Sequence, residues 1–85
     1  MPENTVKDYG WTTEEGPGSC SYLAPCILDL LKPLGVKRVL DLGAGNGALC
    51  SQLARAKYDV VGMEYDEGGV EIARRVNPHI PFYQL

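Results

Sequence analysis

Histidine, tryptophan and phenylalanine each occur once in this 85-residue chain, and cysteine three times. With His79 the single histidine, every Ser/His/Asp or Cys/His arrangement has to run through one residue. That residue sits in Asn77-Pro78-His79, on the loop entering a predicted third strand and opposite the ligand end of a parallel sheet. We assign it no catalytic role. Cys20, Cys26 and Cys50 contain no CxxC pair and have one histidine to draw on, so no zinc set can be assembled and no metal is expected. An odd, irregularly spaced trio also argues against a disulfide framework and suits a reducing cytoplasm. All three read as small, half-buried thiols.

Long apolar runs are absent too. None approaches the roughly 18 residues of a membrane-spanning helix, and the polar start MPENTVKDYG lacks the apolar core of a signal peptide. Positive charge is scarce: 8 basic against 11 acidic residues give a net charge of −3. The basic residues never run beyond a pair, which excludes nucleic-acid binding held by charge. Internal repeats and low-complexity tracts are missing. What is present is ordinary globular material, 45% apolar and 22% charged, so disorder is excluded as the main reading. The chain is shorter than a usual domain of about 100 to 150 residues, and its core is expected to be thin.

Residues 1–19, rich in Gly, Pro, Glu and Thr, read as an irregular arm carrying Tyr9 and Trp11. From about Ser21 the spacing of Leu23, Ile27, Leu30, Leu31 and Leu34 predicts one face of a helix, with Pro25 in its first turn and Pro33 and Gly35 ending it. Lys37 to Leu42 reads as a buried strand. A second helix is predicted with Leu49, Leu53 and Ala56 inward and Asn46 as a cap. Tyr58 to Met63 forms a second strand, ending at Glu64. Asp66 caps a third helix with Val70, Ile72, Ala73 and Val76 inward, weakened by Gly68 and Gly69 in its first turn. Asn77-Pro78 ends that helix, and a third strand starts within Pro81 to Leu85. Alternating helices and strands imply a parallel sheet with right-handed crossovers. The fold class is α/β: a βαβαβ half of a doubly wound, mainly parallel sheet, preceded by an N-terminal helix.

The chemistry is concentrated in Val39-Leu40-Asp41-Leu42-Gly43-Ala44-Gly45-Asn46-Gly47-Ala48. Three alternating glycines between a strand and a helix allow a sharp turn and let a ligand approach the backbone. The carboxyl end of such a strand is where open α/β sheets bind ligands. Gly43, Gly45 and Ala48 also satisfy the dinucleotide pattern G-x-G-x-x-G/A, and Glu64, twenty-one positions after Gly43, has the spacing of a ribose-binding acid. A carboxylate there accepts charge-assisted hydrogen bonds from ribose hydroxyls, a role common to both nucleotide cofactor classes. Asp41 separates them. So close to the loop it repels a pyrophosphate and suits a ligand with ammonium and sulfonium groups. It equally suits a purely local role, accepting neighbouring backbone N–H groups to shape the turn.

Asp41-x-Gly43-x-Gly45-x-Gly47 resembles the first motif of class I S-adenosylmethionine-dependent methyltransferases, which have a Rossmann-like fold. Val60-Val61-Gly62-Met63-Glu64-Tyr65-Asp66, followed by Ala73-Arg74-Arg75, is similar to their second. The resemblance spans residues 20–85 and implies S-adenosyl-L-methionine as cofactor. By position it implies that Gly43, Ala44, Gly45 and Gly47 pack against the methionine part, that Glu64 holds the ribose, and that Tyr65 lies against the adenine by stacking. The implied reaction moves the sulfonium methyl group to a nucleophile, expected to be a small molecule, with catalysis resting on proximity and exclusion of water. Asp66 departs from the Ser or Thr that many members carry there. The family's sheet is larger than the three strands readable here, so the chain is expected to supply a cofactor-binding half, weak or inactive alone, with catalytic residues beyond Leu85. In small-molecule methyltransferases a covering arm precedes the first strand, where Tyr9, Trp11 and Tyr22 lie. A staple onto the thin core is the commoner reason for such aromatics. The second half's absence is expected to leave Arg38 to Leu42 as an open edge prone to self-association. Two alternatives remain at this stage, an interaction module that keeps the fold and an NAD-dependent oxidoreductase fragment.

Overall fold

The computed structural model describes residues 20–85. The arm over residues 1–19, with Tyr9 and Trp11, lies outside the described residues, as does the side chain of Tyr22. Helices and strands alternate: α1 (Cys20–Leu31), β1 (Arg38–Leu42), α2 (Ala48–Arg55), β2 (Asp59–Glu64), α3 (Glu67–Val76) and β3 (Phe82–Gln84). The three strands are parallel in the order β1-β2-β3, with Leu40 beside Val61 and Gly62 beside Phe82. This is the predicted βαβαβ arrangement with its leading helix.

Strand alternation divides the sheet into two unlike faces. Val39 and Asp41, then Val60, Gly62 and Glu64, then Phe82, point toward the helices and carry the burial. They meet Cys50 and Leu53 of α2 and Val70 and Ala73 of α3 in the core. The opposite face presents Leu40 (55% exposed), Leu42 (66% exposed) and Tyr83, with nothing over them among the described residues. The expectation of a fully buried first strand is therefore corrected. The helices cover one face only, so the apolar run Val39–Leu42 is half sheltered.

The α1 face is corrected as well. Ala24 is buried, and Ile27, Leu28 and Leu31 pack on the core. That stripe follows the i, i+3, i+4, i+7 rule, and the leucine-rich stripe containing Leu23, Leu30 and Leu34 is exposed. Two overlapping periodicities were available, and contact with α2 selects the one led by the small Ala24. Pro25 falls inside the helix rather than in its first turn, and Leu31 passes into a 3-10 turn, Lys32–Leu34, closed by Gly35 at φ 69°. At the ends of the other helices, Ala56, just past α2, and Val76, the last residue of α3, are exposed instead of inward. Asp66 does cap α3, its carboxylate accepting the Gly69 N–H at 2.9 Å, worth about 1 kcal/mol.

The two outer strands of this sheet differ. The guanidinium of Arg74 donates twice to the Phe82 carbonyl, at 3.1 and 2.8 Å, closing an acceptor on the β3 side. Along β1 the surface ion pair Arg38–Asp59, at 3.5 Å with both side chains mostly exposed, runs to its own neighbouring strand and adds little stability.

Candidate cofactor-binding site

The loop between β1 and α2 leaves the sheet at its carboxyl end. The Met63 carbonyl of β2 accepts the N–H groups of both Gly43 (2.8 Å) and Ala44 (2.9 Å), and Gly47 N–H closes onto the Ala44 carbonyl at 2.9 Å. Gly43 has φ 79° with open space where a Cβ would stand. A side chain there is strained by its backbone and projects outward, where a ligand would lie. Gly47 is different. A Cβ on it would come within 2.9 Å of the Ala73 Cβ and 3.0 Å of the Phe82 ring, so it serves packing first. Asn46, expected as a cap, stands one residue before the Gly47 cap position, and its Oδ1 accepts the Ala48 N–H at 3.2 Å.

Glu64 ends β2 directly beneath this loop. It is 5% exposed. One carboxylate oxygen accepts the Gly45 N–H at 2.6 Å and the other accepts the Asp66 N–H at 2.8 Å. Each oxygen keeps a further lone pair for a hydroxyl donor. Tyr65, the next residue, is 57% exposed, with its ring available for stacking and its carbonyl accepting from Gln84 Nε2 at 3.3 Å.

Asp41 points to the helix side of β1 and accepts the thiol of Cys50 at 3.3 Å. That is a weak donor, and the expected backbone N–H partners are not what it finds. Burial raises the Asp41 carboxyl above the ordinary carboxylate range, and the nearby Glu64 charge adds to the rise, while the Cys50 hydrogen bond opposes it. Burial and the Asp41 charge push the Cys50 thiol upward in turn, so it stays protonated and is no nucleophile. The uniform picture of half-buried thiols is thereby corrected: Cys50 is fully enclosed and Cys26 is exposed. Sequence reasoning missed Cys50 as a partner of Asp41. The only available signal was its place one turn into α2, facing the strand.

The structure thus brings Asp41, Gly43, Ala44, Gly45, Gly47, Glu64 and Tyr65 to one end of the sheet. His79 lies at the other, exposed beside Ser51, Ala54 and Arg55. Among the described residues no group of His, Cys, Asp and Glu is arranged to hold a metal ion, and no helix is long and apolar enough to cross a membrane.

Comparison with known proteins sharpens this. The chain is 40% identical over 43 residues to a ubiquinone biosynthesis O-methyltransferase of Mesorhizobium japonicum, covering 51% of this chain and 17% of that protein. The chain therefore spans a small part of the curated relative it matches. Among solved structures, the PH0226 protein of Pyrococcus horikoshii superposes with a TM-score of 0.73 at 23% identity, over 88% of this chain and 35% of that one. The S-adenosylmethionine-bound CalS10 of Micromonospora echinaspora, an amino pentose methyltransferase, superposes with a TM-score of 0.62 at 25% identity, over 79% and 28%. A family model described as a methyltransferase domain matches residues 40–84, from the middle of β1 through the glycine loop to the end of β3. By that match, which takes in the loop and both strands that hold it, the chain belongs to the methyltransferase domain family.

Proposed function

We propose that this chain binds S-adenosyl-L-methionine and forms the cofactor-binding part of a methyltransferase acting on a small-molecule nucleophile in the cytoplasm. The observation that carries the reading is a glycine loop at the carboxyl end of β1 flanked by two carboxylates, Asp41 within β1 and Glu64 bonded to the Gly45 N–H at 2.6 Å. Glu64 suits the ribose of either cofactor class, whereas the Asp41 charge suits a ligand bearing an ammonium group and opposes a pyrophosphate, which weighs against the NAD alternative. Glu64 takes the ribose hydroxyls, Tyr65 stacks on the adenine, Asp41 faces the ammonium end, and Gly43, Ala44, Gly45 and Gly47 line the approach. When bound, the cofactor supplies an activated sulfonium methyl group. The chain's own contribution is to hold and orient it. Two named similarities, a ubiquinone biosynthesis enzyme and an amino pentose methyltransferase, favour a small acceptor.

Calorimetric titration tests this. S-adenosylhomocysteine is expected to bind and NADH to stay silent, with Glu64→Ala weakening the former by about tenfold or more. Binding of NADH alone would transfer the site to the oxidoreductase reading, and silence from both would favour the interaction module.

We further propose that the chain self-associates by antiparallel pairing of β1 with β1 of a second copy, centred on Leu40. That register sets Arg38 opposite Leu42 and Asp41 opposite Val39, so no like charges meet. It uses the edge that, unlike the β3 side, no described side chain caps. Sedimentation velocity is expected to show a dimer growing across the micromolar range, and a single concentration-independent monomer boundary would refute it.

A further inference from the structure

The buried carboxylate at the end of β2 has more to do than wait for a ligand. Between Gly43 and Gly47 the loop takes φ angles of +79°, +59° and +84° at its three glycines, and glycine-rich backbone loses more freedom on ordering than any other. Two of its N–H groups hang on the Met63 carbonyl. The third anchor is Gly45 N–H on Glu64, a short hydrogen bond of 2.6 Å to an acceptor 95% withdrawn from solvent. The other oxygen of the same carboxylate holds the N–H of Asp66, whose own side chain caps α3. One side chain therefore joins the loop after β1 to the start of the helix after β2.

We infer that Glu64 is a positioning residue that holds the glycine loop in its binding conformation before any ligand arrives, a function separate from accepting ligand hydroxyls. The chemistry of the side chain makes this specific. Both partners are donors, so both positions require an acceptor, and only a carboxylate presents two. In Glu64→Gln the amide oxygen serves one N–H and the amide NH2 faces the other, donor against donor. Glutamine keeps the size and loses the clamp.

The first arm of the test needs no ligand. Amide hydrogen exchange in Glu64→Gln is expected to speed up by about tenfold or more at Gly45 or Asp66, the loss of one charged hydrogen bond. Asn77 and Ala56, whose N–H groups bond at the far ends of α3 and α2, are expected to keep their protection. Unchanged protection at Gly45 and Asp66 would overturn the proposal. Should the variant not fold, the wild-type protein decides. A through-hydrogen-bond coupling between the Gly45 nitrogen and the Glu64 carboxylate carbon is expected, and its absence is equally fatal.

The second arm rests on the cofactor reading and separates the two functions of Glu64. S-adenosylhomocysteine and its analogue lacking both ribose hydroxyls are titrated into wild type and Glu64→Gln. A residue that only accepts hydroxyls leaves the analogue's affinity unchanged by the substitution, which would refute the clamp. A residue that also orders the loop lowers the analogue's affinity by about tenfold. If neither ligand binds wild type while the coupling is present, the cofactor reading falls and the clamp stands.

Discussion

Gly62→Val should unfold much of the protein at temperatures where wild type is intact. Gly62 lies in the middle of β2, beside Phe82 in the ladder. A Cβ there would stand 2.5 and 2.6 Å from two carbons of the Phe82 ring and 3.1 Å from the Cys50 sulfur. The same side of the ring also lies along Gly47, where a Cβ would come within 3.0 Å of Cζ. Phe82 occupies a slot whose walls are two glycines, one in a strand and one in the ligand loop. Overpacking a buried site costs roughly 1–3 kcal/mol for small insertions, and more when backbone has to move. The whole stability of such a domain is only about 5–15 kcal/mol. Urea unfolding followed by circular dichroism is the measurement, with Phe82→Leu expected to restore part of the loss in the Gly62→Val background. An unchanged midpoint would show that the slot is not tight.

Asp41→Asn should move stability and binding in opposite directions. Burial and the Glu64 charge raise the folded-state pKa of Asp41. A carboxyl raised on folding holds its proton in the native state after the unfolded chain has released it. Stability therefore falls as pH rises from the ordinary carboxylate range through the native value. At low pH, where Asp41 is neutral in both states, variant and wild type should unfold alike. At neutral pH the asparagine form should be the more stable by about 1 kcal/mol, the size usual when a strained functional group is removed. Its amide oxygen can still accept the Cys50 thiol. Affinity for S-adenosylhomocysteine should drop by about tenfold, through loss of the charge facing the ammonium group. Parallel urea titrations at several pH values check the first half. If the variant were the less stable at neutral pH, Asp41 would be an anchor for α2 rather than a group held at a cost for its ligand.

Much of this was legible beforehand, unevenly. Alternation of short apolar runs with helical spacing sufficed for the element order and parallel sheet, and Asp66 before α3 was readable as a cap because capping is local chemistry. Which α1 stripe turns inward was not, since Leu23-Ile27-Leu30-Leu31 and Ala24-Ile27-Leu28-Leu31 share members and differ only in what α2 presents. The burial of β1 was overread, because a continuous apolar run says that a strand is sheltered and not by what. Cys50 escaped notice because its role comes from one contact between α2 and β1.

By itself the sequence determined the periodicities, the turn chemistry and the residue types at the loop, all properties of a few neighbouring positions. From these came the α/β class, the glycine turn and the acid that closes β2. The tertiary structure decided what those residues touch. It put the Glu64 carboxylate on Gly45 and Asp66, gave Asp41 a thiol for a partner, and made Gly47 a packing residue through Phe82. Apart from the Asp66 bond, which is local, each joins different elements of the fold. Such contacts depend on the packing distances between elements, which no local pattern encodes.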